Sequence, residues 1–146
     1  MHPKHLQADP NPLLLLFSVM PDSPVPIFEQ IIAQITFAVA AGDVEPGNAI
    51  PSVRDLAEHL LVHPNTVAKA YQLLAERGIV TARRGRGMEV TQGAPALCRE
   101  QRRQIVQTRI REALREAVAS QLPAEEIRRL VREELERANG RGGEKA

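Results

Sequence analysis

Apolar side chains recur three and four residues apart in five stretches of this chain, the spacing that gathers them on one face of a helix. In the first stretch, Ile27, Phe28, Ile31, Ile32, Ile35 and Val39 share a face. Pro26 before them suits a first helical turn, and Gly42 after them suits the position just past the last. The second stretch is Val53, Leu56, Ala57 and Leu60, with Ser52 placed to cap its start. The third is Val67, Ala70, Tyr71 and Leu74, closed by Gly78. Residues 61–65 between these two are so few that the helices must pack against each other at a steep angle. Residues 50–71 therefore predict a helix-turn-helix, a unit that presents the start of its second helix outward.

Other segments have a different texture. Residues 13–20 are apolar with no polar face and run into a proline-rich turn, which predicts a buried strand. Residues 79–82 and 88–91 are short β-prone runs on either side of the turn Arg83-Arg84-Gly85-Arg86-Gly87. Two strands with a basic tip directly after a helix-turn-helix make a winged helix. Residues 1–12, with three prolines, read as a disordered leader, and residues 92–95 as a linker.

The fourth and fifth stretches lie beyond that linker. Ile105, Val106, Ile110, Leu114, Val118 and Leu122 form one apolar stripe among arginines and glutamates. Pro123 with Glu125 and Glu126 starts a second helix, whose stripe is Ile127, Leu130, Val131 and Leu135. Two amphipathic helices cannot bury their own apolar faces alone, so this tail predicts pairing with a second copy of the chain. The alternating Arg and Glu are explained by pairing along helix exteriors rather than by a nucleic-acid-binding face. The expected organisation is a leader over 1–12, a winged helix-turn-helix domain over 13–92, a helical dimerisation unit over 96–139 and a disordered tail over 140–146. The fold class is mostly α with a small β component (α+β).

Composition narrows the setting more than the function. The chain is 43% hydrophobic and 25% charged, with a net charge of +1 that announces no nucleic-acid partner. The placement of the charges carries that argument instead. Cys98 is the single cysteine, which rules out an internal disulfide framework and reads as an inert thiol. The apolar run at 13–20 falls short of the ~20 residues a membrane span needs. It is followed by Pro21-Asp22-Ser23-Pro24 rather than a cleavage site, so the expected location is cytoplasmic.

Arg54, on the flank of the first helix of the pair, carries a guanidinium fork that matches phosphate oxygens or guanine; its plainer role is a surface pair with Asp55 or Glu58. Asn65 and Thr66 either hydrogen-bond to bases or cap the second helix, and Pro64 fits its first turn. Lys69, one turn further on, suits a phosphate or is an ordinary exposed lysine. Arg83, Arg84 and Arg86 cluster on the wing tip, where Gly85 and Gly87 permit close approach to a groove. His59 and His63 are four apart, but the helix breaks between them and no further ligands flank them, so no metal is expected. Nor do Ser-His-Asp groupings or a phosphate loop point to an enzyme or to a cofactor.

Several pieces in order resemble the GntR family of bacterial transcription regulators. They are Val25-Pro26-Ile27-Phe28-Glu29-Gln30-Ile31, Pro46-Gly47, Ile50-Pro51-Ser52-Val53-Arg54-Asp55-Leu56-Ala57, Pro64-Asn65-Thr66-Val67 and Arg84-Gly85-Arg86-Gly87. The short two-helix tail looks like the YtrA subfamily, in which a dimerisation unit replaces a larger effector domain. The resemblance implies that Arg54, beside Ser52, contacts DNA phosphate or base, that His63, Pro64, Asn65 and Thr66 face the groove, and that Gly85 approaches the minor groove. Two positions depart from the pattern. Leu61 stands where glycine is frequent, which either costs ~1 kcal/mol of backbone strain or shifts the turn. Glu89 stands where the wing usually carries an aromatic.

The resulting expectation is a homodimeric, sequence-specific DNA-binding regulator that represses by occluding a promoter at a palindromic operator. The competing reading is a winged-helix protein-protein interaction module without specific DNA binding. An unknown small-molecule effector would relieve repression, although the small tail offers little volume for a pocket of ~300 Å³.

Overall fold

The computed structural model describes residues 11–85 and 87–144, with side chains to Arg141. Among the described residues there are five α-helices: α1 (Ile27–Ala41), α2 (Val53–Leu60), α3 (Pro64–Glu76), α4 (Ala94–Ala119) and α5 (Ala124–Glu144). Between α3 and α4 lie two strands, β1 (Val80–Arg83) and β2 (Gly87–Val90), paired antiparallel with Val80 opposite Val90 and Arg83 opposite Gly87. The architecture is mostly α with a small β ribbon. It divides into two compact units, one up to Gln104 and the other from Ile105.

In the first unit, α1 and α2 both pack on α3, which also touches β1. The apolar stripes read from the sequence are the core: Ile31, Ile35 and Val39 of α1, Leu56 of α2, and Val67 and Leu74 of α3 are buried. Each such side chain contributes ~1.5–3 kcal/mol on leaving water. Helix ends follow their local chemistry. Pro26 is the N-cap of α1 rather than its first residue, and Gly42 closes it in the left-handed conformation at φ 85°. Ser52 caps α2, its Oγ accepting from the Asp55 N–H at 3.0 Å.

The predicted strand over residues 13–20 is not formed. Pro12–Leu16 is a 3-10 turn instead, started by Asn11, whose Oδ1 accepts from the Leu13 N–H while its Nδ2 donates to Ala49 O. An apolar run without periodicity does not distinguish these outcomes. Only Phe17 of this segment is buried. The extended residues after it find their hydrogen bonds on a helix. Gln34 and Ser18 exchange a bond in each direction, as do Gln30 and Met20, and Gln30 also donates to Val25 O. Four residues of helix rise about 6 Å and two residues of extended chain about 6.6 Å, so glutamines four apart serve alternate backbone positions.

The expected linker at 92–95 is also absent as such. Ala94 begins α4, and Ala94 and Cys98 are buried in the core of the first unit. Short apolar residues at the start of a charged helix carry too little periodic signal to reveal this. Burial pushes the Cys98 thiol up to about 11, in keeping with an inert group.

In the second unit, α4 ends at a turn in which Gln121 is left-handed and the Leu122 N–H reaches back to Ala117 O. Ion pairs Glu125–Arg128, Arg129–Glu133 and Glu134–Arg137 lie along α5. The helix continues through Gly140 to Glu144 rather than fraying there. Glycine lowers helix propensity by about 1 kcal/mol but, unlike proline, removes no donor. Ile105, Leu122 and Ile127 are half-buried, while Val106, Ile110, Leu114, Val118, Leu130, Val131 and Leu135 are exposed. No helix among the described residues is long and apolar enough to cross a membrane.

Candidate nucleic-acid interface

The proposed reading surface is built on two helix starts and one hairpin. Ser52 and Arg54 occupy the cap and first turn of α2. Arg54 Nε contacts Glu58 Oε1 at 3.3 Å, the plainer of its two expected roles, but the side chains keep 85% and 67% of their exposure. A pair so open to solvent contributes ~0–1 kcal/mol and exchanges readily for a phosphate.

The turn into α3 keeps the geometry at which the sequence looked least comfortable. Leu61 lies at φ 57°, ψ 46°, the left-handed position of a helix end, with its side chain 91% exposed. The Val62 N–H reaches back to Ala57 O at 3.1 Å, and Val62 packs on the core. This is a Schellman ending with leucine in the glycine position. The turn is therefore kept and the strain accepted, ~1–2 kcal/mol for an L-residue there.

His63 caps α3, its Nδ1 accepting from the Asn65 N–H at 3.0 Å. Capping was one of the two roles open to Asn65 and Thr66; because His63 takes it, Asn65 is exposed without that duty and Thr66 is half-buried. Accepting at Nδ1 leaves the neutral imidazole proton on Nε2. Pro64 opens the helix, where it displaces no backbone bond. Lys69 is neither free nor on an ion: its Nζ sits 3.9 Å from the centroid of Phe28 on α1.

Two further sets of contacts, invisible to spacing arguments, hold these parts in register. Tyr71 of α3 donates through its hydroxyl to Pro51 O at 2.7 Å. Burial first, and the charge of Asp55 second, push that phenol well above its ordinary range, keeping it a donor. On the other side, the Ile50 N–H donates to Met88 O and the Val90 N–H to Asn48 O, with Ala49 bridging Glu89. Residues 50 and 51 thus tie α3 to one side and the wing to the other.

On the wing, Arg83 pairs through Nε with Glu89 Oε1 at 2.5 Å, and Arg84 is exposed. Gly85 and Gly87 have φ of 76° and 71°, and a Cβ on either would meet nothing within 4 Å. Backbone conformation, not crowding, calls for glycine at these two turns. Arg86 lies outside the described residues.

Comparison with known proteins agrees with this fold. Residues 27–90 match the model of the gntR family of bacterial regulatory proteins. The chain is 32% identical over 130 residues to the HTH-type transcriptional repressor YtrA of Bacillus subtilis, covering 89% of this chain and 98% of that one. Among solved structures it is similar to a transcriptional antiterminator from Listeria monocytogenes (TM-score 0.58, 31% identity, 80% of this chain and 87% of that one). A GntR family transcriptional regulator from the same organism is similar too (TM-score 0.57, 30% identity, 77% and 97%). The chain belongs to the GntR family of bacterial regulatory proteins and is a DNA-binding transcription regulator.

Proposed function

We propose that the protein is a homodimeric repressor that places α3 of each protomer in a major groove of a palindromic operator, lays the wing beside it, and excludes polymerase from a promoter. The observation that carries this reading is the outward first turn of α3, capped by His63 so that Asn65 is exposed, on the same unit as the exposed Arg54 and the glycine-bounded wing. Asn65 offers an amide able to pair bidentately with adenine, and Arg54 a fork for phosphate or guanine. Ser52, His63, Pro64, Thr66 and Lys69 frame these contacts, and Arg83, Arg84, Gly85 and Gly87 form the wing face, to which the sequence adds the charge of Arg86. For Lys69 this requires the ammonium to leave the Phe28 ring, at a cost of ~0.5–1 kcal/mol at an exposed site.

The exposed stripes of the tail support assembly through a second copy, with Ile110, Leu114 and Val118 of α4 and Leu130, Val131 and Leu135 of α5 at its centre. The protein acts in the cytoplasm by binding rather than by catalysis. A small-molecule effector would enter this scheme by biasing the spacing of the two reading heads.

Gel-shift titration on DNA upstream of the protein's own gene tests the reading. The wild type should shift it at low salt, and Arg54→Ala should weaken binding about tenfold while leaving the sedimentation of the dimer unchanged. Absence of any shift by the wild type favours the protein-interaction alternative.

A further inference from the structure

Glu89 is a carboxylate in the middle of β2, with Thr81 of β1 opposite it on one side and Ala49 on the other. Its side chain keeps 11% of its exposure, whereas that of its partner Arg83 keeps 62%. A charge so enclosed requires a cation or several donors. Arg83 lies two residues beyond Thr81 on β1, so it shares the ribbon face of Glu89 and reaches it diagonally.

The contact engages Nε, the guanidinium nitrogen nearest the backbone. A guanidinium has five N–H donors in a rigid fork, so the four on its terminal nitrogens are not consumed by Nε pairing. Glu89 therefore orients the arginine without using it up. The pair Arg54–Glu58 differs: both of its side chains are exposed, so nothing anchors the carboxylate end. Glu89 is anchored by its strand, and β2 is hydrogen-bonded at Met88 and Val90 to residues 48 and 50, which lead into the helix-turn-helix.

We propose that Glu89 is a positioning residue for DNA binding, holding Arg83 at the base of the wing with its terminal nitrogens directed to a backbone phosphate. The proposal rests on the DNA-binding reading above. It assigns the departure at this wing position a role: a buried anion on the wing serves to aim a cation.

The test uses the full chain and two labelled duplexes of equal length, one selected by the wild type from a random pool and one unselected, titrated by fluorescence anisotropy over a range of salt. Arg83→Ala should lose about tenfold in affinity on both duplexes and lower the slope of log K against log salt by about one. Glu89→Ala should lose a similar amount, and the double variant should bind no worse than Arg83→Ala alone. Glu89→Gln, which keeps an acceptor for Nε, should stay within about threefold of the wild type. Glu89→Ala binding as tightly as the wild type, or more tightly, overturns the proposal. So does a Glu89→Ala loss that persists in full in the Arg83→Ala background, because Glu89 would then act only on the fold. If the wild type retains no duplex from the pool and does not bind the unselected one, the DNA-binding reading falls and the positioning role with it.

Discussion

The two units are written in the same helical code and end in opposite conditions. In the unit up to Gln104, the stripes of α1, α2 and α3 converge, so that Ile31, Leu56, Val67 and Leu74 lose all contact with water. In the unit from Ile105, equally regular stripes leave Ile110, Val118 and Leu135 at 54%, 66% and 59% exposure. Periodicity specifies which face is apolar; only a third element can cover it, and the first unit has three helices, a ribbon and the start of α4 where the second has the rest of α4 and α5. The contrast separates a part that folds on its own core from a part whose apolar face is available for association.

The sharpest break between them comes from equal truncations. Leu74→Ala should cost ~2–5 kcal/mol in denaturant unfolding, through lost burial and a residual cavity. Leu135→Ala should move that unfolding by less than about 0.5 kcal/mol, as for a surface position, and show its effect in a weaker concentration dependence of self-association. Equal losses at the two sites would erase the distinction.

Alkaline pH should act on the first unit alone. Burial raises both Cys98, from 9.0 to about 11, and Tyr71 above its ordinary 10.0. Because the folded-state values are the higher ones, their contribution is complete below about pH 9 and is lost as pH climbs through the raised values. From Ile105 onward the sequence holds no cysteine or tyrosine, and its one lysine, Lys145, lies outside the described residues. The melting temperature should be level to about pH 9 and fall beyond it. Tyr71→Phe should lower the level part, by loss of the bond to Pro51 O, and flatten the decline.

The smallest effect concerns the turn. Leu61→Gly should stabilise the first unit by ~0.5–1 kcal/mol in thermal melts, relief of the left-handed strain exceeding the added chain entropy. A loss of stability would mean that the exposed leucine has a contact of its own.

Most of the fold was legible because it depends on local signals. The stripes of α1 to α3, the left-handed Gly42, the Ser52 cap and the awkward Leu61 are each set by residues within a turn of one another. What sequence did not show depends on partners far along the chain. Gln30 and Gln34 acting as a strand edge for Ser18 and Met20 cannot be inferred from an apolar run, and Ala94 and Cys98 needed the core of the first unit to be seen as part of it. At the proposed reading surface, residue types and their order point to Arg54, His63 and the wing. The engagements of Lys69 with Phe28, Tyr71 with Pro51 and Arg83 with Glu89 were not legible, since each joins separate elements in space. The capping role of His63 was missed because histidine is an unusual cap, while the better cappers Asn65 and Thr66 stood beside it.

The central claim is that two copies of the first unit, joined through the tail, read DNA symmetrically. Selection of duplexes from a random pool by the full chain, followed by sequencing, tests it most directly. The account predicts enrichment of two inverted half-sites whose centres lie about 10 base pairs, or a multiple of that, apart. Enrichment of a single unpaired half-site, or of no sequence, would contradict it.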